Sequence, residues 1–212
     1  MGSTKDLRDQ AYTTMKSMIL SGQLKPGVVY TTVEIAEMLH VSRTPAREAM
    51  VCLHVEGWMR EVKKMGFCVP EVTIKETYET AEAMICLETF VISQIQDKDL
   101  QPDFDALQRS IERQKELVAA REFGSYFCEN SHFHKILLSV LNNGLLERNY
   151  DFIAVRSVLI GLSGPENPKS ENRAINEHQA LVTALMKKDY KAAQKSARTH
   201  YHNAISRFQM HR

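Results

Sequence analysis

The chain has 212 residues, enough for two modest domains or one large one. Its 27 lysines and arginines nearly cancel 26 aspartates and glutamates, and a formal charge of +1 excludes a protein that coats nucleic acid nonspecifically. No apolar run is long enough to span a membrane, the N-terminus lacks a charged-then-apolar secretory signal, and Cys52, Cys68, Cys86 and Cys128 form no Cys-x-x-Cys pair. The expectation is a cytosolic protein with no membrane partner, zinc ribbon or dithiol redox motif.

Thr31 and Glu34 form a Ser/Thr-x-x-Glu capping box that predicts a short helix, with Val33, Ile35, Ala36 and Leu39 turned inward. His40 and Val41 turn the chain. Ser42 is placed to cap a second helix from about Arg43, whose first turn tolerates Pro45 because the missing amide has no intrahelical partner there. Within it Ala46, Ala49, Met50 and Leu53 recur at three- and four-residue steps, leaving Thr44, Arg47, Glu48 and Val51 outward, with Arg43 flanking them. A recognition helix places base-reading residues there, and the arginine fork matches guanine O6 and N7. After Gly57, Trp58-Met-Arg-Glu-Val62 and Phe67-Cys-Val-Pro70 read as two short strands joined at Gly66. They would form a wing whose Lys63 and Lys64 neutralise phosphates, or whose Lys63 enters the minor groove.

Gly22-Gln-Leu-Lys-Pro-Gly27, Val41-Ser-Arg-Thr-Pro-Ala-Arg-Glu-Ala-Met50 and Leu53-His-Val-Glu-Gly57 together resemble the winged helix of the GntR family of bacterial transcription regulators. The resemblance covers roughly residues 5 to 70 and implies a cytoplasmic, homodimeric DNA-binding protein. Its DNA-contacting set would be Thr32, Ser42, Arg43, Thr44, Arg47, Lys63, Lys64 and Gly66. His40 departs from the glycine usual at the inter-helix corner, and it would be strained if φ there is positive. Residues 1 to 70 carry nine lysines and arginines against seven acids, whereas residues 71 to 212 carry 18 against 19, so the weak basic excess sits in the reading head. A weakly charged reader gains affinity as a dimer, and two-fold symmetry predicts a palindromic double-stranded operator.

The boundary falls near Pro70-Glu71-Val72, dividing a DNA-binding domain (1–70) from a second domain (71–212). The second reads as helix throughout: Thr73 to about Asp97, Phe104 to Arg121, Gly124 to Leu141, Leu145 to Leu162, Lys169 to Lys187, and Tyr190 to about Met210. Gly161 to Pro168 is the clearest loop. The predicted fold is mostly α, a winged helix-turn-helix of three helices and a small β-wing followed by an all-α six-helix bundle that binds effector and dimerises.

Histidines carry the chemistry of that bundle. Asn130 and His134 align with Phe127, Leu137 and Leu141; His178 with Ile175, Leu181 and Leu185; His200 with Ala193, Ala197, Ala204 and Phe208. His132 and His202 fall off those lines and should face away, and His211 is terminal. One inward histidine is ordinarily a core residue satisfied by a neighbour. For three on separate helices, burial without partners would cost about 1 to 3 kcal/mol each, and one shared divalent metal would satisfy all of them.

Asn130-Ser-His-Phe-His134, Glu177-His178 and His200 also resemble the Asp-x-x-Phe-His, Glu-His and late histidine elements of the FadR-type branch, whose all-helical ligand domain is called FCD. The resemblance implies a metal held by Asn130, His134, His178 and His200 beneath a cavity for a small carboxylate. Imidazole ligands favour zinc or nickel, with manganese admissible. Two departures bear on this. Asn130 replaces an aspartate and removes a negative charge from the ligand set, and Met84 occupies the place of an arginine that would meet the effector, with Arg156 the candidate substitute.

Two other classes remain open. A metal held by three histidines can activate water, but His-Glu-x-x-His, Gly-x-Ser-x-Gly and the phosphate-loop pattern are absent; of two Glu-x-x-His pairs, one (Glu37, His40) lies in the DNA module and the other uses outward His132. A dimeric DNA-binding protein with no sensing role is the third. The reading favoured over both is a metabolite-responsive transcription regulator, a repressor rather than an enzyme.

Overall fold

The computed structural model describes the backbone of residues 4–209 and the side chains of residues 6–206, and it divides after Glu71 into two compact units. Met210 and His211 lie outside the described residues, as does the side chain of Phe208.

The first unit runs α1 (Thr4–Leu20), β1 (Val29–Tyr30), α2 (Thr32–Met38), α3 (Arg43–Glu56), β2 (Arg60–Val62) and β3 (Gly66–Cys68). The capping box at α2 is complete: the Thr31 hydroxyl accepts from the Glu34 amide at 3.2 Å, and the Glu34 carboxylate accepts from the Thr31 amide at 2.7 Å. The Thr31 backbone amide, with the Thr31 hydroxyl beside it, holds the Glu34 carboxyl below the usual carboxylate range. Ile35 and Ala36 point into the core as expected, but Val33 is 37% exposed. It sits in the first turn, two residues before Ile35 and therefore on the opposite side of the helix. Ser42 occupies the N-cap of α3 with extended backbone but makes no side-chain capping bond. Ala46, Ala49, Met50 and Leu53 are fully buried. α1 packs along α3, adding Met15 and Ile19 to the core.

At the corner His40 takes φ 53°, the left-handed conformation that glycine adopts more cheaply. The wing is an antiparallel sheet of three strands, order β1-β3-β2, not two. The extra strand, Val29–Tyr30, is too short for alternation to reveal. Gly66 is the first residue of β3, not the pivot of the turn, which is carried by residues 63–65 with Lys64 at φ 63°. Its φ of 139°, and a Cβ position that would come 2.2 Å from the Tyr30 carbonyl oxygen, make glycine necessary where β1 crosses close.

The second unit is six helices: α4 (Ile74–Lys98), α5 (Phe104–Ala119), α6 (Phe123–Ser139), α7 (Gly144–Leu162), α8 (Pro168–Met186) and α9 (Tyr190–Gln209). A second capping box, Thr73 with Glu76, opens α4. Asn143 and Asn167 cap α7 and α8 through their side-chain oxygens, and Pro168 takes the first position of α8, where its missing amide is harmless. α9 packs on α4 and α8, α5 on α6 and α8, and α6 on α7, around a core that includes Ile92, Leu107, Ile111 and Phe133. Among the described residues no helix is long and apolar enough to cross a membrane.

Candidate functional site

In the first unit the outer face of α3 carries Arg43, Thr44 and Arg47, all exposed, with Ser42 exposed at its start and Thr32 half-buried at the start of α2. Lys63 and Lys64 are exposed at the wing tip and Gly66 is half-buried behind them. Side chains that remain in water with no core to fill can exchange hydration for phosphates and base edges.

The second unit holds its polar groups inside. His134 on α6, His178 on α8 and His200 on α9 are 3%, 1% and 6% exposed. Their ring centroids lie 4.6 to 5.2 Å apart, and each offers a ligand atom within 4.8 Å of the others. His132 and His202, off the stripe, are exposed.

The orientation of each ring follows from what its Nδ1 touches. His134 Nδ1 donates to the buried carboxylate of Glu88. His178 Nδ1 meets the Gln114 amide oxygen at 3.0 Å, and His200 Nδ1 meets the Glu177 carboxylate at 2.8 Å. A carboxylate or amide oxygen can only accept, so each Nδ1 carries a proton, and in the neutral ring Nε2 is the atom left with a lone pair for a ligand. His134 Nε2 is buried and makes no hydrogen bond, an arrangement that a divalent cation would satisfy.

Glu88 is 3% exposed on the inner stripe of α4. Burial pushes its carboxyl up, but the neighbouring His134, the bond to it, His200 and the Tyr201 hydroxyl together outweigh burial and hold it below the usual range, as a carboxylate. Tyr201 donates to the same oxygen at 2.8 Å; its own phenol is pushed well up by burial and by that carboxylate. Reasoning from sequence missed Glu88, Gln114 and Tyr201 as partners. Gln114 on an otherwise apolar face of α5, and Glu88 one turn after Met84 on α4, were the available signals: a polar residue on a buried stripe requires a partner.

Beside the cluster lies a cavity of about 130 Å³, walled partly by Asn130, His134, His200, Tyr201 and Met84. Asn130 is thus brought to the same wall as two of the histidines, and Met84 contributes apolar surface. Arg156 does not line the cavity; its guanidinium carbon lies 5.8 Å from the Phe152 ring centroid. Consecutive side chains on α7 point about 100° apart, so Ser157 and Gly161 face the cavity and Arg156 does not. No lysine or arginine lines it among the described residues. A Cβ at Gly161 would fall 2.4 Å from the Phe127 ring, so the absence of a side chain there lets α7 close against α6.

Both halves match known families. The FCD domain family covers residues 79–203, and the family of bacterial regulatory proteins called gntR covers residues 7–69. The chain belongs to the FCD branch of the GntR regulators. Among curated GntR-type relatives, the uncharacterized HTH-type transcriptional regulator YdhC of Bacillus subtilis (strain 168) is 27% identical over 92% of this chain and 87% of its own length. The gluconate operon transcriptional repressor of the same organism is 24% identical over 82% of this chain and 74% of its length. The Uxu operon transcriptional regulator of Escherichia coli (strain K12) is 26% identical over 82% and 75%. Among solved structures, a GntR transcriptional regulator from Rhodococcus sp. RHA1 superposes with TM-score 0.81 at 17% identity, covering 96% of this chain and 97% of that one. Escherichia coli McbR/YncC superposes with TM-score 0.77 at 24% identity, covering 99% of each. This GntR protein is therefore a transcription regulator with a DNA-binding N-terminal unit, and the activity of the family is regulation, not catalysis.

Proposed function

We propose that this GntR regulator is a homodimeric repressor whose binding to a palindromic operator responds to a small carboxylate held in the second unit beside a divalent metal. The observation that carries this reading is the convergence of three buried imidazoles, each held by its Nδ1, on one centre that borders a cavity. Asn130, His134, His178 and His200 would hold the metal, zinc or nickel by ligand type and manganese less readily. Bound there, the metal supplies the positive charge that a carboxylate needs in a cavity whose described wall lacks lysine and arginine. The volume limits the effector's size, and the rest of the wall carries Asn167, Ser157 and the Glu171 carboxylate beside its apolar surface. A cavity of about 150 Å³ holds benzene, so this one, at about 130 Å³, fits roughly five or six non-hydrogen atoms. Two relatives bear names of operon regulators, one of them a repressor, which supports the repressor assignment.

Arg43, Thr44 and Arg47 would read bases while Ser42, Thr32 and the wing around Lys63, Lys64 and Gly66 fix the register on phosphates. Effector would act through differential affinity for two arrangements of the paired reading heads, only one matching half-sites a helical turn apart. The test is a thermal-shift series of small carboxylates on chelated protein, with and without zinc, nickel or manganese, followed by operator titration with each stabilising compound. A metal-dependent shift accompanied by a change in operator affinity is expected. Stabilisation that ignores metal, or operator binding that ignores every stabilising compound, would reject the sensing mechanism.

A further inference from the structure

Glu88 stands apart from the other groups around the histidines. Its carboxylate is almost wholly buried, does not line the cavity, and among the described residues has only the His134 ring, and no lysine or arginine, within ion-pair distance. One oxygen takes both available donors, His134 Nδ1 and the Tyr201 hydroxyl, while Oε2 has no hydrogen-bond partner. A carboxylate taken out of water with no lysine or arginine opposite costs several kcal/mol, and this one is balanced only by charge on or beyond the His134 ring. The groups that could touch a metal, three imidazoles and the Asn130 amide, are all neutral. Negative charge reaches the centre through Glu88, by way of His134, and through Glu177, which is more exposed and also accepts from Asn203 at 2.6 Å.

We propose that Glu88 is the positioning residue of the centre: it fixes the His134 tautomer and supplies, through the imidazole, the negative charge that the neutral ligand set lacks. This rests on the histidine cluster being the metal site. A carboxylate behind a ligating imidazole makes the ring a stronger donor, and loss of such a partner lowers metal affinity by about 10- to 100-fold. Tyr201 shares the oxygen but brings no charge, so its hydroxyl contributes packing and satisfaction and not metal affinity.

The test is zinc affinity by competition with a chromophoric chelator, on full-length wild type, E88Q, Y201F and H178A, with thermal melts alongside. E88Q keeps the shape and an acceptor for both donors while removing the charge, and it is expected to weaken zinc binding about 10- to 100-fold. Y201F is expected to stay within a few-fold of wild type. Wild-type affinity in E88Q, or an equal loss in Y201F, overturns the proposal while leaving the histidine site intact if H178A has lost zinc. Full zinc binding by H178A, or none by wild type, defeats the site itself and this inference with it. Should E88Q fail to melt cooperatively, nitrogen NMR of wild type decides: His134 protonated at Nδ1 in chelated and zinc-loaded protein is expected, and protonation at Nε2 overturns the assignment.

Discussion

The two units use polar side chains in opposite ways. In the reading unit Arg43, Thr44, Arg47, Lys63 and Lys64 stand in water on one helix and one turn, while the core beneath them is apolar. In the second unit His134, His178, His200, Glu88 and Gln114 are all buried, drawn from five helices, and each is held by at least one hydrogen bond inside that unit. An exposed reading face tolerates substitution with little effect on folding, because each side chain stands alone. A buried polar cluster ties function to stability, since removing one member leaves its partners desolvated and unpaired.

The largest expected effect breaks the cluster. His178→Ala should lose bound zinc and lower the melting temperature together: with zinc about 100-fold above its Kd, wild type gains about 2.7 kcal/mol that the variant lacks. Equal zinc content by elemental analysis in the two proteins would mean the cluster is a core network only. On the reading face the effects separate. Arg47→Ala should weaken operator binding by about 1 to 3 kcal/mol and relax base preference while leaving the melt unchanged. Unaltered discrimination between operator and random DNA in a competition assay would remove Arg47 from base reading. Between these lies the wing, where structure and reading meet. Gly66→Ala forces a side chain into the Tyr30 carbonyl at a left-handed φ, so it should destabilise the reading unit by about 1 to 3 kcal/mol and weaken DNA binding with it. Unchanged denaturant midpoint and operator affinity would show that β1 can move aside.

How much was legible in advance followed the same division. The capping box at Thr31 and the four-residue core of α3 are local and stand as the sequence indicated, while the His40 corner, left conditional on a positive φ, takes φ 53°. Failures in that unit were also local in kind: Val33 is apolar yet exposed, Ser42 occupies a cap without bonding, and the two residues of β1 are too few to show a period. In the second unit the stripes predicted which histidines turn inward, because helical periodicity alone decides that. They could not say what each Nδ1 would meet. Glu88 and His134 are 46 residues apart, Gln114 and His178 are 64, and no pattern within a helix encodes such pairs. Arg156 shows the converse: its residue type suited an anion, but its angle on α7 keeps it off the cavity wall.

The sequence by itself determined the family, the order of elements and the inward or outward sense of nearly every functional side chain, since capping, periodicity and motif spacing act over a few residues. Only the tertiary structure decided that three imidazoles meet within 4.8 Å, that Glu88 stands behind one of them, and that the cavity beside them has no arginine in its described wall. Those outcomes depend on helix crossing and rotation, which are set by the summed packing of the whole core and leave no short-range trace in the chain.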